Sequence, residues 1–296
     1  MPQLRELLGD LPEVEVIEWD LSGPAPAPVI DIVLPPYLGG AASLERLEGV
    51  RVRLVQSLSL GYDGVEAHLP RGMVFANAVS VHETSTSELT LALILAAQRG
   101  LPDFVRAADQ GRWAPGWHPS LADHTVLLVG YGGVGRAIDA RLAPFEVTVE
   151  RVARTARTQG GVVVHDMSSL PQLLAAADIV VIAVPLDDST THLVDDRFLS
   201  QMRDGALLVN VARGRVADTE ALLAHAKSGR LRLALDVVDP EPLPQDHPLF
   251  ALPNVLISPH VGGATSAALP RMARLVREQI ERMQRGEEPI NVVLRT

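Results

Sequence analysis

Three polar side chains late in the chain stand on or just after short apolar runs. Arg213 follows Leu207-Leu208-Val209-Asn210, Glu241 follows Leu233-Ala234-Leu235-Asp236-Val237, and His260 follows Val255-Leu256-Ile257-Ser258. Runs of this kind read as strands of a parallel sheet covered on both faces, and such sheets offer ligands to the loops at their carboxyl ends. An arginine there can take a carboxylate in a two-pronged, charge-assisted contact and polarise the carbonyl beside it. A histidine can give that carbonyl oxygen a proton, and a neighbouring glutamate favours the imidazolium that has the proton to give. Together the three suit the reduction of a 2-keto acid by hydride. Each also has an ordinary use: Arg213 in a surface ion pair, Glu241 as a turn residue beside two prolines, His260 as a capped core histidine.

A hydride source is offered by the stretch Val126-Leu127-Leu128-Val129-Gly130-Tyr131-Gly132-Gly133-Val134-Gly135. Four apolar residues run into G-x-G-x-x-G and a helical pattern follows, which is the dinucleotide-binding fingerprint in its required context. Gly130 permits the turn, Gly132 lets the backbone approach a pyrophosphate, and Gly135 lets helix and strand pack closely. The phosphates then meet N–H groups at the helix N-terminus. The competing reading is a plain glycine-rich turn. Tyr131, Gly133 and Val134 fall in the same loop and are assigned to the cofactor with the three glycines.

These residues need a scaffold, and the apolar runs outline it. Strands are expected at 126–129, 147–149, 179–184, 207–210, 233–237 and 255–258, with helical segments between them. Six parallel strands, the first leading into the glycine motif, make a Rossmann domain, a doubly wound α/β sheet. The first ninety or so residues read as a smaller α/β unit, with strands at 14–17, 30–34 and 52–55 and a stiff Pro24-Ala25-Pro26-Ala27-Pro28 connector. After its third strand comes Gln56-Ser57-Leu58-Ser59-Leu60-Gly61-Tyr62-Asp63, either a ligand loop or a simple strand-to-helix turn. A nearly all-round apolar helix at 83–99 should be buried and connect two domains, ending at Gly100-Leu101-Pro102. The irregular loop that follows carries Trp113 and Trp117, which either plug a core or line a partner subunit. A last helix near 268–284 should return to the first unit and finish it with Val292-Val293-Leu294. The expected domains are therefore 1–93 with 267–296, and 94–266.

Composition excludes several classes. The 296 residues carry 36 acidic against 26 basic side chains, a formal net charge of -10, which disfavours nucleic-acid and anionic-membrane surfaces. An anionic ligand must be held by a few local arginines or by backbone amides. The chain has no cysteine, so thiol catalysis, iron–sulfur clusters and disulfides fall away, and a reducing compartment fits. Lys227 is the one lysine and follows no glycine loop, which disfavours Walker-type phosphate binding and Schiff-base chemistry. The N-terminus lacks the apolar core of a signal peptide, and the longest mostly apolar run, about 89–97, is too short to span a bilayer. A cytoplasmic protein is expected. The histidines show no metal-ligand spacing around a carboxylate, so no metal is expected.

The wording around the three polar residues goes further. Val209-Asn210-Val211-Ala212-Arg213-Gly214, Asp236-Val237-Val238-Asp239-Pro240-Glu241-Pro242-Leu243 and Ser258-Pro259-His260-Val261-Gly262-Gly263-Ala264-Thr265 closely resemble signatures of the D-isomer-specific 2-hydroxyacid dehydrogenase family, its glyoxylate/hydroxypyruvate reductase-like members in particular. Val184-Pro185-Leu186 through Thr191-His192-Leu193 and the 57–63 loop match as well, so the resemblance covers nearly the whole chain. It implies that Arg213, Glu241 and His260 are the catalytic arginine and Glu–His pair. It implies that Asp236 holds the nicotinamide carboxamide, and that Val184, Pro185, Leu186, Thr191, Val211, Ala212 and Gly262 line the dinucleotide. The backbone of Ser57, Leu58, Ser59, Leu60 and Gly61 is then the seat of the substrate carboxylate. A discontinuous flavodoxin-like substrate domain, a closing cleft and a homodimer formed through the cofactor domains also follow from the resemblance.

Two departures bear on cofactor and substrate. Members that use NAD usually carry an acidic residue eighteen positions beyond the last motif glycine; here that position is Ala153, followed by Arg154-Thr155-Ala156-Arg157. With the carboxylate missing and Arg154, Thr155 and Arg157 beside the gap, a 2′-phosphate is accommodated, so NADP(H) is expected as the favoured cofactor and NAD(H) as the second. The competing reading makes both arginines solvated loop charges and gives the ribose to Glu150 or Asp166. The second departure is length. The chain opens on a helix-like Leu4-Arg5-Glu6-Leu7-Leu8, so a first strand common in the family is expected to be trimmed, and no regulatory domain is expected after Thr296, which weakens a phosphoglycerate dehydrogenase-like assignment. Glu241 argues against formate dehydrogenase, which has glutamine in that place. Leu58, Leu60 and Tyr62 suit a small 2-keto acid such as glyoxylate or hydroxypyruvate, or a bulkier apolar one. A dinucleotide-sensing corepressor-like binding protein is the alternative from another class, since such proteins keep the same three residues.

Overall fold

A computed structural model describes every residue except Met1 and Leu38. The chain forms two compact units, Glu83–Gly263 and the discontinuous pair Met1–His82 with Ala264–Thr296. The first stretch supplies helix α1 (Pro2–Leu8), strands β1 (Val29–Val33) and β2 (Arg51–Gln56), the short helix α2 (Val65–His68) and β3 (Val74–Ala76). The long unit runs through α3 (Glu83–Arg99), α4 (Leu101–Asp109), β4 (Thr125–Val129), α5 (Gly133–Leu142), β5 (Thr148–Val152), β6 (Arg157–Gln159), β7 (Val162–Val164), α6 (Leu170–Ala176), β8 (Ile179–Ile182), α7 (Asp196–Gln201), β9 (Leu207–Asn210), α8 (Thr219–Lys227), β10 (Arg232–Leu235) and β11 (Val255–Ile257). Helix α9 (Ala268–Gln284) and strand β12 (Val292–Arg295) return to the first unit. The boundary expected inside α3, at residue 93, thus moves to the start of that helix.

In the discontinuous unit the strand order is β1-β2-β3-β12, with the first three parallel and β12 antiparallel to β3. Leu4 and Leu8 of α1 bury against Met272, Leu275 and Val276 of α9. The strand expected at 14–17 does not form. Its Val-Glu-Val alternation is strand-like, yet Val16 and Ile17 remain 38% and 50% exposed and the stretch joins no ladder, lying between left-handed Glu13 and Leu21. Alternation produces a strand only where a neighbour offers hydrogen bonds and a face to bury.

The long unit is built on a six-stranded sheet of order β11-β10-β9-β8-β4-β5, and each adjacent pair is parallel. Side chains alternate across it. Leu127, Val129, Val180, Ile182, Leu208, Leu233 and Leu235 face one way and join Leu174, Phe198, Leu199 and Leu222 of α6, α7 and α8. Val126, Leu128, Ile179, Val181, Leu207, Val209 and Ala234 face the other and join Leu93 and Ile94 of α3 and Ile138 and Leu142 of α5. The period of two thus buries both sheet faces, which is why the strands read as unbroken apolar runs. The order reverses between β4 and β8, the switch point where such sheets open a ligand crevice beyond their carboxyl ends.

Gly100, left-handed at φ +65°, separates α3 from α4. Trp113 and Trp117, on the irregular loop beyond, are 95% and 103% exposed, so neither plugs a core of this chain. No helix among the described residues is long and apolar enough to cross a membrane.

Candidate active site

The glycine loop after β4 has the shape its sequence demands. Gly130 sits at φ +104°, where a Cβ would come 2.5 Å from the Ala183 carbonyl carbon at the end of β8. A Cβ on Gly135 would meet the Gly130 oxygen at 2.2 Å. At Gly132, by contrast, a Cβ would have nothing within 4 Å, so this backbone faces open space. Gly132 is also the N-cap of α5 and supplies no side-chain cap. Uncapped N–H groups of a helix first turn beside such an opening fit the pyrophosphate of a dinucleotide.

Around this loop the arginines take different partners. Tyr131 is buried, and its hydroxyl donates to Asp139 Oδ2 at 2.6 Å, while Arg151 donates to both Asp139 oxygens at 2.9 and 2.7 Å. Burial works to raise the Asp139 carboxyl, but the bonds from Arg151 and Tyr131 outweigh it and hold the group below its ordinary value. Arg157 lies 5.9 Å from the Tyr131 ring centre and donates to the Tyr131 carbonyl at 2.9 Å and to that of Thr155 at 3.3 Å. Ala153 directly follows β5. Next to it Arg154, 72% exposed at its side chain, donates to Asp187 Oδ2 at 2.6 Å. The two acids offered as ribose ligands are engaged elsewhere: Glu150 lies 3.4 Å from His165, and Asp166 Oδ1 accepts from the Ser168 amide and hydroxyl at 2.9 and 2.5 Å.

The loop after β8 carries Val184, Pro185 and Leu186 past Gly130 and folds on itself. Thr190 Oγ1 donates to the Pro185 carbonyl at 2.7 Å, and Thr191 Oγ1 donates to the Asp187 carbonyl at 2.9 Å. The Thr191 hydroxyl hydrogen is therefore committed to shaping the loop.

Arg213, Glu241 and His260 arrive on three loops at the carboxyl ends of the adjacent strands β9, β10 and β11. Fully buried Asn210 closes the first loop, its Oδ1 accepting from Ala212 N at 3.0 Å and its Nδ2 donating to the Arg213 carbonyl at 3.1 Å. Arg213 Nη1 donates to the Ala212 carbonyl at 2.8 Å. Val211 and Ala212 are buried beside it. Gly214 follows because a Cβ there would fall 1.8 Å from the Val238 oxygen, so the loops after β9 and β10 touch backbone to backbone. Thr219 Oγ1 donates to the Asp239 carbonyl at 2.5 Å and steadies the approach to Glu241.

His260 Nδ1 donates to Glu241 Oε1 at 2.5 Å, an assignment that follows because an ionised carboxylate only accepts. Nε2 is the ring nitrogen not engaged with Glu241. His260 occupies the left-handed region at φ +53°, which persists only where surroundings over-determine it. Asp236 does so. Its carbonyl accepts from His260 N at 2.8 Å, Oδ1 accepts from Ser258 Oγ at 2.6 Å and Val261 N at 2.9 Å, and Oδ2 accepts from Gly262 N at 2.9 Å. Within this structure the buried Asp236 carboxylate is shared among Ser258, Val261 and Gly262, and the Gly262 amide is given to it.

The 57–61 loop follows β2 in the discontinuous unit. Ser57 N donates to the Ala76 carbonyl at 2.8 Å and Ser59 N to Ser57 Oγ at 3.0 Å. Leu58 is buried, and its carbonyl lies 2.8 Å from His82 Nε2. The amides of Ser57 and Ser59 are thus engaged within the described structure. Sequence reasoning passed over Asp187, Asp139, Asn210 and Ser258, which hold the chosen residues; Asp187, Asn210 and Ser258 lie within quoted runs, while Asp139, four residues beyond Gly135, carried no such signal.

A cleft of about 450 Å³, lined by Gln98, His118, Gly205, Arg232 and Asn254 among others, opens at the amino ends of β9, β10 and β11, away from the three catalytic candidates. Among the described residues no cluster of three His, Cys, Asp or Glu is placed to hold a metal ion.

A dinucleotide-binding sheet whose carboxyl ends carry an arginine and a Glu–His pair defines a nicotinamide-dependent oxidoreductase. The family model described as D-isomer specific 2-hydroxyacid dehydrogenase, NAD binding domain, matches residues 91–262. The glyoxylate reductase of Thermococcus gammatolerans is 34% identical over 268 residues, which span 84% of this chain and 80% of that protein. The crystal structure of a D-isomer specific 2-hydroxyacid dehydrogenase from Xanthobacter autotrophicus, in complex with NADPH and MES, is 32% identical with a TM-score of 0.76, covering 90% of this chain and 84% of that one. An NADPH-dependent glyoxylate/hydroxypyruvate reductase from Sinorhizobium meliloti, in complex with NADP and sulfate, is 25% identical with a TM-score of 0.84, covering 99% and 94%. The chain belongs to the D-isomer-specific 2-hydroxyacid dehydrogenase family. It is an NAD(P)-dependent oxidoreductase that transfers a hydride between the dinucleotide and a 2-keto or 2-hydroxy acid.

Proposed function

We propose that this chain reduces small 2-keto acids of the glyoxylate and hydroxypyruvate class to D-2-hydroxy acids, with NADPH as the favoured donor. The observation that carries the reading is the His260–Glu241 pair, 2.5 Å apart across the loops after β11 and β10, with Arg213 on the loop after the adjacent β9. When bound, the reduced nicotinamide supplies the hydride to the carbonyl carbon. Arg213 holds the substrate carboxylate and polarises the carbonyl. His260 gives its Nε2 proton to the carbonyl oxygen while Glu241 keeps the ring oriented through Nδ1 and stabilises the imidazolium beforehand. The backbone of the loop Ser57 to Gly61 assists with the carboxylate. The names of the relatives, glyoxylate reductase and glyoxylate/hydroxypyruvate reductase, support the substrate class.

The NADPH preference rests on the residues after β5. Gly132 and the α5 N-terminus take the pyrophosphate, Gly130 and Gly135 shape the loop that lets them, and Arg154, Thr155 and Arg157 follow Ala153, where the ribose acid of an NAD site is missing. Arg157 is held by the Tyr131 and Thr155 carbonyls and is half-buried, while Arg154 is exposed and bonded to a carboxylate at the surface, so Arg154 is the principal 2′-phosphate ligand. The double substitution Ala153→Asp with Arg154→Ala should lower the NADPH to NADH ratio of kcat/KM by at least about tenfold, the scale of one charge-assisted hydrogen bond. An unmoved ratio would return both arginines to solvent and sink the preference.

The unit Glu83–Gly263 is proposed as the dinucleotide-binding domain and the discontinuous unit as the substrate domain. A cytoplasmic homodimer completes the reading. The absence of cysteine suits a reducing compartment, and two indoles left almost wholly in solvent, Trp113 and Trp117, support a partner surface on the loop after α4. Light scattering should give twice the mass of the chain, with Trp113→Ser and Trp117→Ser together reducing it; a monomeric parent protein would contradict the dimer.

A further inference from the structure

We propose that Asp187 sets how strongly this enzyme favours NADPH, by competing with the cofactor's 2′-phosphate for Arg154. The inference rests on the reading that Arg154 receives that phosphate. It starts from an asymmetry in the Arg154–Asp187 pair. Asp187 is an anchored group: its Oδ1 accepts from the Ser189 amide at 2.9 Å and the Ser189 hydroxyl at 2.6 Å, and its own amide donates to Thr190 Oγ1 at 2.8 Å. The loop that carries it is the one after β8, beside the glycine motif. Oδ2 remains directed at Arg154, 2.6 Å away. Arg154 is the opposite case, a long side chain with 72% of its surface in solvent against 39% for Asp187. A fixed carboxylate therefore grips a movable guanidinium at the edge of the cofactor site.

Two effects follow, and their sizes decide between them. Holding Arg154 in place would help a phosphate by sparing the entropy of ordering the side chain, but an ion pair this exposed restrains its partners weakly. Against that stands a full negative charge beside an incoming dianion. The Ser189 hydroxyl, with the Ser189 amide and Arg154 behind it, holds the Asp187 carboxyl below its ordinary range, so it is ionised at neutral pH. A phosphate seated on Arg154 shares that guanidinium with the carboxylate and is repelled by it, while a ribose hydroxyl carries no charge to repel. Like charges at this kind of partly screened separation alter affinity by about three- to tenfold. Repulsion is the larger effect, so Asp187 tempers the NADPH preference and keeps NADH usable.

The test is Asp187→Asn, which keeps an acceptor for Ser189 and removes the charge. Dinucleotide fluorescence titration should show NADPH binding about three- to tenfold tighter, NADH binding unaltered, and a difference that shrinks as salt is raised. The gain should shrink when Arg154→Ala is added, because the competition for the guanidinium is then gone and only the direct repulsion remains. NADPH and NADH shifting together, no shift in either, or weaker NADPH binding in Asp187→Asn would each overturn the proposal, the last by making Asp187 a support for Arg154. The single variant Arg154→Ala separates the two levels. If it leaves the NADPH to NADH ratio unmoved, the 2′-phosphate reading itself fails; if it lowers the ratio while Asp187→Asn does nothing, only the role of Asp187 fails.

Discussion

Alanine in place of His260 should cut kcat by roughly a hundredfold to ten-thousandfold, the range that a positioned general acid contributes, while the dinucleotide still binds. Among the described residues the ring hydrogen-bonds to Glu241, and the dinucleotide loops are held by other residues, so cofactor affinity has no reason to fall. The backbone at residue 260 adds a qualification with a direction. His260 is held at φ +53° by the Asp236 carbonyl and by the carboxylate that pins Val261 and Gly262, a conformation alanine adopts at some cost. His260→Asn, which tolerates that conformation and carries no transferable proton at neutral pH, is the control. Both variants should lose turnover alike; near-normal kcat in either would remove His260 from the reaction.

Arg213→Ala should be the more damaging change in kcat/KM, by about a thousandfold or more, because it removes the charged partner of the substrate carboxylate and the group that polarises the carbonyl. Both KM and kcat should suffer, since the first contact exists in the bound substrate and the second grows as the carbonyl oxygen gains charge. Arg213→Lys keeps the charge but not the planar fork, and should restore only part of the loss. The loop itself is expected to stay folded in both, since Asn210 closes it and Gly214 lets it approach Val238 by backbone alone. Retention of wild-type KM for the keto acid in Arg213→Ala would show that the carboxylate is bound elsewhere.

How much of this was legible beforehand differs by region. The six-stranded sheet could be read because both its faces are covered, so burial alone writes each strand as an apolar run, as at Val126, Leu127, Leu128 and Val129. The glycine motif could be read because steric demands at Gly130 and Gly135 leave few other residues. At 14–17 the same kind of pattern misled, because alternation records side-chain chemistry and not the presence of a neighbouring strand. The two tryptophans posed a related difficulty, since an apolar side chain is the same letter in a core and on an exposed loop. The polar partners were hidden for a different reason. Asp187 meets Arg154 across 33 positions of sequence, and Asp236 meets Val261 across 25, so their pairing depends on strand order, which no local pattern encodes.

The central claim is that this chain uses Arg213 and the Glu241–His260 pair to reduce a small 2-keto acid at the expense of a reduced nicotinamide dinucleotide. Its most direct test is the steady-state loss of reduced-nicotinamide absorbance with purified protein, NADPH beside NADH, against glyoxylate, hydroxypyruvate, pyruvate, phenylpyruvate and 2-ketoisocaproate. The account predicts turnover of glyoxylate or hydroxypyruvate, faster with NADPH, and D-glycerate as the product from hydroxypyruvate. Tight dinucleotide binding with no consumption of either cofactor on any of these acids would contradict it and make the chain a dinucleotide-binding protein that keeps the residues without the reaction.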